Sequence, residues 1–552
     1  MSNVSSRASE VSRSIRIARC HTDYDTRVSV DELRAQLRER GYLTHGIERW
    51  FALDPWISRA FWVELIVVAF KAAAVIALFA ALPLVAIMLV RNHPLTALET
   101  LELTALYFAS GFVIAFVFII VIALVLKLRP EIAVDTPRTL LAISIAAAIA
   151  LTSPITIWWY GFDTPPPLTE LAAGLTLILI LFLIATIVVS AALLSFSIYE
   201  LQRVPAIHRR PRTVPMTIAA AVLMALLFLP AYAAQEKRAT TKPIQVVTSP
   251  TQRRIALIAV DGLTYEMLQP RISFAGIAAA PRMEGESTTE RWASVGTGVP
   301  TSIHGVRAVD GIRLARGRHL IQSVSRKDVV LRHLATREPL PPTVRRRDYV
   351  WEIFAARGVP SVAVNWWTTE SGRFGVLDSI GQESIFAAAH GNAEKVDETA
   401  KKRLFEAIDR DHPQFATVYL PALDVVLNRL PLDASSRVIA SVRILDVIAG
   451  VVRELRTRGF DVVLVGLPGD RQSGSAVIAA TFPLPHRASP FDIAPTICAI
   501  LGFPATAEMP GNTLAARAET RIATYGPRNA SALTTKVDQE YYENLKSLGY
   551  IK

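Results

Sequence analysis

Two residues stand where this chain could do chemistry. Asp261 closes the apolar run 255–260 and is followed by Gly262. A carboxylate at the end of a buried strand is well placed to bind a metal or a phosphate-bound cation, though it serves equally well as a loop cap. Thr288 opens the stretch 288–298, which reads TTERWASVGTG. A hydroxyl at a helix N-terminus meets unpaired amide N–H groups and the positive end of the helix dipole, which together favour an anion beside a nucleophile. The plain alternative is an ordinary helix N-cap. Thr289 is the adjacent hydroxyl and Ser287 the next. The two cysteines, Cys20 and Cys498, have no CxxC or other metal-ligand spacing. Cys20 lies in a polar tail and Cys498 in an apolar helical stretch, so no disulfide is expected between them.

The elements that must position these residues fall into two halves. The chain has 552 residues, 51% of them hydrophobic, and a net charge of +11, with a mean hydropathy of +0.34. The apolar excess lies almost entirely before residue 235. Residues 1–58 form a polar tail that is expected to sit in the cytoplasm. It carries a short amphipathic helix with Ser29 as N-cap and Glu32 closing a capping box, and Trp50, Phe51 and Trp56 suit a membrane interface. Apolar runs at 61–90, 103–126, 139–159, 168–196 and 213–234 predict about five transmembrane helices within a domain spanning 59–235. Lys71 in the first run is expected to snorkel or face other helices. The loops after the second and fourth runs carry the Lys and Arg residues, and those after the first and third are nearly free of them. That alternation predicts a multi-pass protein with the N-terminus inside and everything after 235 outside. The basic balance is accounted for by these loops, so no nucleic-acid partner is expected. LPAYAAQ, ending near residue 235, is read as a helix end, not as a signal-peptide site.

A polar linker at 236–252 leads to the second half, 253–552. Arg254–Asp261, 359–367, 415–424 and 460–466 read as buried strands. VWEIFAARG at 350–358 and the long stretch from Ser435 to Gly459 carry helical apolar spacing. Alternating strands and helices predict an α/β fold with a mostly parallel central sheet flanked by helices and a site at the strands' carboxyl ends.

Residues 255–263 and 288–305 together resemble the first metal-binding strand and nucleophile region of the alkaline phosphatase superfamily. They are most similar to its type I phosphodiesterase/nucleotide pyrophosphatase branch, a sulfatase-like domain. Three more stretches resemble the same family: 349–370, FDIAPTICAILGFPATAEMPGNTL from Phe491, and the terminal YYENLKSLGYIK. The resemblance covers about 250–552. It implies that Thr288 holds the nucleophile position, that His304 is a structural turn residue, and that two divalent metals would be bound. One metal would take Asp261, Thr288 and an Asp-His pair; the other would take an Asp-x-x-x-His pair and a later His.

This chain departs from that pattern. Asp424 is present, but four residues later stands Asn428 instead of a histidine. Leu467 and Pro468 replace the Asp-His pair, and no histidine occurs between His412 and His486. His486 is a poor replacement ligand, and Asp470 would reach the site only with a shifted loop. Asp261, Thr288 and Asp424, with Asn428 in place of a histidine, therefore fall short of a zinc site. No cofactor, or a single weak divalent cation held by oxygen ligands, is expected, and a two-zinc site is not. The implied function is a membrane-anchored pseudoenzyme that binds a partner, lipid or glycan outside the membrane. The alternative is an active phosphodiesterase or head-group phosphotransferase working through Thr288 and a reduced metal set. In layout it is similar to phosphoethanolamine transferases and lipoteichoic acid synthases. A transporter is the third reading, disfavoured because the apolar runs carry few charges.

Overall fold

In the computed structural model, residues 61–201 and 251–551 are described together with Glu39, apart from 93–94, 129–136, 163–167, 269–271, 284, 286, 318, 391, 470–471, 516–519 and 529–538. The amphipathic helix expected near residue 30, the fifth apolar run at 213–234 and Asp470 lie outside the described residues.

The chain divides into two compact units, one of residues 1–83, 107–156 and 172–224 and one of 84–106, 157–171 and 225–552. The first is built on four helices, α1 (Phe61–Arg91), α2 (Ala97–Leu128), α3 (Pro137–Trp159) and α4 (Leu168–Leu201). Among the described residues these four are long and apolar enough to cross a membrane. Their shared core is rich in alanine, with Ala69, Ala72, Ala73, Ala115, Ala147 and Ala192 all buried. Small side chains let helix backbones approach where lipid gives no hydrophobic drive for association. Phe70, Val113, Ile114 and Leu179 are each more than half exposed. An aliphatic and aromatic surface of that kind suits lipid and would be a liability in water. Lys71 is half-buried.

The second unit is organised by an eight-stranded sheet. Its strands are β1 (Ile255–Asp261), β2 (Gly276–Ala280), β3 (Ser361–Val364), β4 (Gly372–Phe374), β5 (Leu377–Ile380), β6 (Phe415–Leu420), β7 (Asp461–Leu467) and β8 (Ala476–Ala480). They lie in the order β2-β8-β7-β1-β6-β3-β5-β4. The stretch from β7 to β5 is parallel, and β8, β2 and β4 pair antiparallel at the two margins. The four strands legible in the sequence are β1, β3, β6 and β7, adjacent at the sheet's centre. Every residue of β1 is buried, because helices cover both faces of a parallel sheet. The principal helices are α5 (Thr288–Thr297), α6 (Ala393–Asp411), α7 (Ala434–Thr457), α8 (Ile493–Leu501) and α9 (Gln539–Ser547). Cys498 is buried in α8. Helix α6 joins β5 to β6 and α7 joins β6 to β7, so the carboxyl ends of β1, β6 and β7 lie side by side. Asp261 and Leu467 are direct cross-strand partners at that edge.

The second unit also includes the ends of the apolar helices. Asn92, just past α1, accepts from the backbone N–H groups of Gln322 and Ser323 at 2.9 and 2.8 Å and donates to Ser323 O at 2.9 Å. Near the end of α3, the Trp158 indole donates to Asp328 Oδ2 at 2.7 Å, and Gly161 O accepts from Arg326 N at 2.8 Å. Gly161 has no room for a side chain: a Cβ there would overlap Ser325 Oγ and lie 2.9 Å from Lys327 Cγ. Gly161→Val is expected to unseat residues 322–328 and lower the melting temperature, read by thermal unfolding and limited proteolysis in detergent. An unchanged protease pattern would count against this seat.

Candidate active site

Helix α5 begins at Thr288, but its cap is the preceding residue. Ser287 has extended backbone angles, and its Oγ accepts from Glu290 N at 3.1 Å while donating to Arg307 O at 2.6 Å. Ser287 is therefore committed to structure, and the ordinary-cap alternative for Thr288 is corrected: the capping oxygen belongs to its neighbour. Thr288 is buried, and its Oγ1 receives two guanidinium bonds, from Arg429 Nη2 at 3.0 Å and Arg291 Nη2 at 3.3 Å. Thr289 Oγ1 is buried and makes no hydrogen bond among the described residues.

Asp424 lies in the short turn after β6. Its Oδ2 accepts from Arg429 Nε at 2.6 Å and its Oδ1 from Asn428 Nδ2 at 2.7 Å. Residues Val425–Arg429 form a π-helical turn. In a regular α-helix, residues five apart point away from one another; the wider turn swings Arg429 back onto Asp424. Arg429 thus clamps Asp424 and Thr288 together. On its other side the guanidinium lies 4.1 Å from the centre of the Tyr550 ring, where the ring quadrupole attracts a cation. Burial opposes the charge on Arg429, but Asp424, Tyr550 and Asp261 hold it protonated, above the ordinary arginine range.

Asp261 is fully buried. Tyr419 Oη donates to its Oδ2 at 3.2 Å, and its Oδ1 lacks a hydrogen bond of good geometry. Trp292 packs edge-on against Tyr419, with ring centroids 5.5 Å apart, which keeps this end of β1 dry. Burial first, and then repulsion from Asp424, push the Asp261 carboxyl up to about 7, with Arg291 and Arg429 acting against them.

The structure therefore brings Thr288, Asp424 and Asn428 into one hydrogen-bonded cluster and sets Asp261 within electrostatic reach of it. His304 is buried at the turn after α5 and is not part of the cluster. Val306 N donates to its Nδ1 at 3.1 Å, so Nε2 carries the proton and donates to Ser294 Oγ at 2.9 Å. Burial, followed by Arg345 and Arg307, pushes its pKa down to about 3, so it is neutral. His486 is exposed beyond β8. Sequence reasoning missed Arg429, Arg291, Tyr419 and Tyr550. Arg291 could have been found as the residue one helical turn after Thr288.

These donors are a poor match for the two metals that the family resemblance implies. Leu467 and Pro468 offer no side-chain ligand, and Leu467 is buried directly across from Asp261. Gly469 presses so close that any side chain there would overlap Asp424 Oδ1 and Asn428 Nδ2. Both Asp424 oxygens are already used, and a guanidinium already neutralises them. Among the described residues, no three His, Cys, Asp or Glu side chains gather as a metal-binding group. The described residues do not fit a two-metal centre.

Residues 256–467 match the family model for type I phosphodiesterase / nucleotide pyrophosphatase. No curated protein matches the chain. Among solved structures, human ectonucleotide pyrophosphatase / phosphodiesterase 5 aligns at 11% identity and TM-score 0.33, covering 47% of this chain and 97% of that one. A 2-O GAG sulfatase aligns at 9% identity and TM-score 0.31, covering 48% and 73%. Phosphonoacetate hydrolase from Sinorhizobium meliloti 1021 aligns at 13% identity and TM-score 0.28, covering 41% of this chain and only 60% of the hydrolase. Residues 256–467 thus match the type I phosphodiesterase / nucleotide pyrophosphatase family model, and among the described residues four helices of membrane-spanning length and apolarity precede them.

Proposed function

We propose that this protein is a membrane-anchored pseudoenzyme that uses the phosphodiesterase scaffold to bind a lipid, glycan or protein partner outside the cytoplasm. The observation that carries this reading is the Arg429 guanidinium. It is bonded to both Asp424 and the Thr288 hydroxyl, which are the groups a metal would have to share. A threonine hydroxyl needs a metal or a base to become a nucleophile near neutral pH. Here it meets two cationic donors, and no base is hydrogen-bonded to it among the described residues. A scaffold can outlive its ancestral chemistry in this way.

The location outside the cytoplasm is supported by charge and contact together. The chain just past α1 and α3, poor in Lys and Arg, bonds to residues 322–326 of the domain. The Lys- and Arg-rich segments of the sequence are the other two, 127–138 and 203–212. The reading is tested by elemental mass spectrometry of the purified full chain, together with hydrolysis of bis-p-nitrophenyl phosphate. No stoichiometric zinc or manganese is expected, and turnover should be no higher than for Thr288→Ala. About two zinc ions per chain, with turnover abolished by that substitution, would sink the proposal.

A further inference from the structure

The apolar spans of α1 and α3 end at Arg91 and Trp159. Where a membrane helix runs out of apolar residues, the hydrocarbon layer ends and the headgroup layer begins. Residues hydrogen-bonded to those ends therefore lie at headgroup depth. Ser323 is bonded to Asn92, and Ser325 Oγ donates to Trp158 O at 2.5 Å. Asp328 has one carboxylate oxygen on the Trp158 indole, while the other accepts from Leu331 N at 2.8 Å and caps the short helix Val329–Leu334. One side chain thus ties that helix to the end of a membrane span.

The residues that follow have the composition of an interfacial element. Arg326, Lys327 and Arg332 are exposed, and so are two large aliphatics, Val329 at 67% and Leu334 at 61%. Tyr160, at the end of α3, is 65% exposed. Scattered exposed aliphatics are unremarkable on a soluble domain. Here they sit among basic residues, beside an aromatic, on a segment pinned to the membrane helices. That combination favours a bilayer surface with anionic lipid.

We infer that Arg326–Leu334 is a lipid-contact surface. Val329 and Leu334 reach the boundary of the acyl layer, and Arg326, Lys327 and Arg332 bind the phosphates of anionic headgroups. The inference rests on the apolar helices crossing a membrane and is independent of whether the phosphodiesterase-like site is catalytic. It is tested on the full chain with Cys20→Ser and Leu334→Cys, labelled with an environment-sensitive fluorophore. The probe bilayers are nanodiscs of phosphatidylcholine alone or mixed with phosphatidylglycerol, with and without a nitroxide on the lipid headgroup. Val438→Cys in α7, an equally exposed aliphatic at 63%, is the comparison site. The Leu334 label is expected to show blue-shifted emission and loss of intensity with nitroxide lipid, while the Val438 label does not. Phosphatidylglycerol should deepen the loss at low salt. Combining Arg326→Gln, Lys327→Gln and Arg332→Gln should remove that dependence. Equal quenching at both sites, or none at Leu334, would overturn the surface. Quenching that ignores lipid charge would overturn the headgroup role of the three basic residues.

Discussion

Arg429→Ala is expected to destabilise the protein by about 3–5 kcal/mol, the range for removing one partner of a buried ion pair. The melting temperature should fall by something on the order of 10 °C. The loss has three sources. Asp424, fully buried, is left charged and uncompensated beside Asp261. Thr288 keeps only the 3.3 Å bond from Arg291. The ring of Tyr550 loses its cation. Thermal unfolding of the full chain in detergent is the measurement. The double variant Arg429→Ala with Asp424→Asn should recover most of the loss, since most of the cost is the orphaned charge. Arg429→Lys should fall between, because lysine keeps the charge but lacks the fork that reaches both Asp424 and Thr288. A drop below about 1 kcal/mol in the alanine variant would place this pair among surface ion pairs and remove the main support for the pseudoenzyme proposal.

Asp397→Asn is expected to make the protein more stable at alkaline pH and no different in acid. Asp397 lies in α6 and is fully buried. Its Oδ1 accepts from Ala422 N at 3.1 Å, at the start of the turn that carries Asp424. Its Oδ2 has no hydrogen bond among the described residues. Burial, reinforced by nearby Glu398, raises its pKa well above the usual aspartate value. A carboxyl raised on folding binds more protons in the native than in the unfolded state. Its contribution to stability is therefore fully present below about pH 4 and is lost as pH rises through the raised value. Each pH unit of that shift is worth about 1.4 kcal/mol. Asparagine keeps the acceptor for Ala422 and never ionises. Melting temperatures from pH 5 to pH 9 should thus fall more steeply in the wild type than in the variant. Asp261, raised to about 7, bends both profiles the same way, so the difference between them isolates Asp397. Parallel profiles would mean that Asp397 is charged in the fold.

Hydrophobic period and length are local properties, and they located α1 to α4 and the four central strands. The marginal strands β2 and β4 were not foreseen. They are short, and β4, GRF, has no apolar alternation to read. At the candidate site, Thr288, Asp261 and Asp424 were singled out because they match a motif, and Asn428 because it departs from it. Arg429 was not, because helical reasoning looks three and four residues along and this contact spans five. Only the π-helical turn makes that pair neighbours.

By itself, the sequence determined the division into an apolar helical part and an α/β part, the match of 256–467 to the phosphodiesterase family model, and where its residue types depart from the motif it resembles. Those depend on residue types and local period, which any folded arrangement must respect. The tertiary structure decided what surrounds Asp261, Thr288 and Asp424. It set Leu467 across the strand edge from Asp261, closed Gly469 onto Asp424, and brought Arg429 to Thr288 across 141 residues of chain. It also brought Tyr550, near the C-terminus, over the same guanidinium. These are long-range meetings made by the parallel sheet, whose adjacent strand ends gather residues that no local pattern relates.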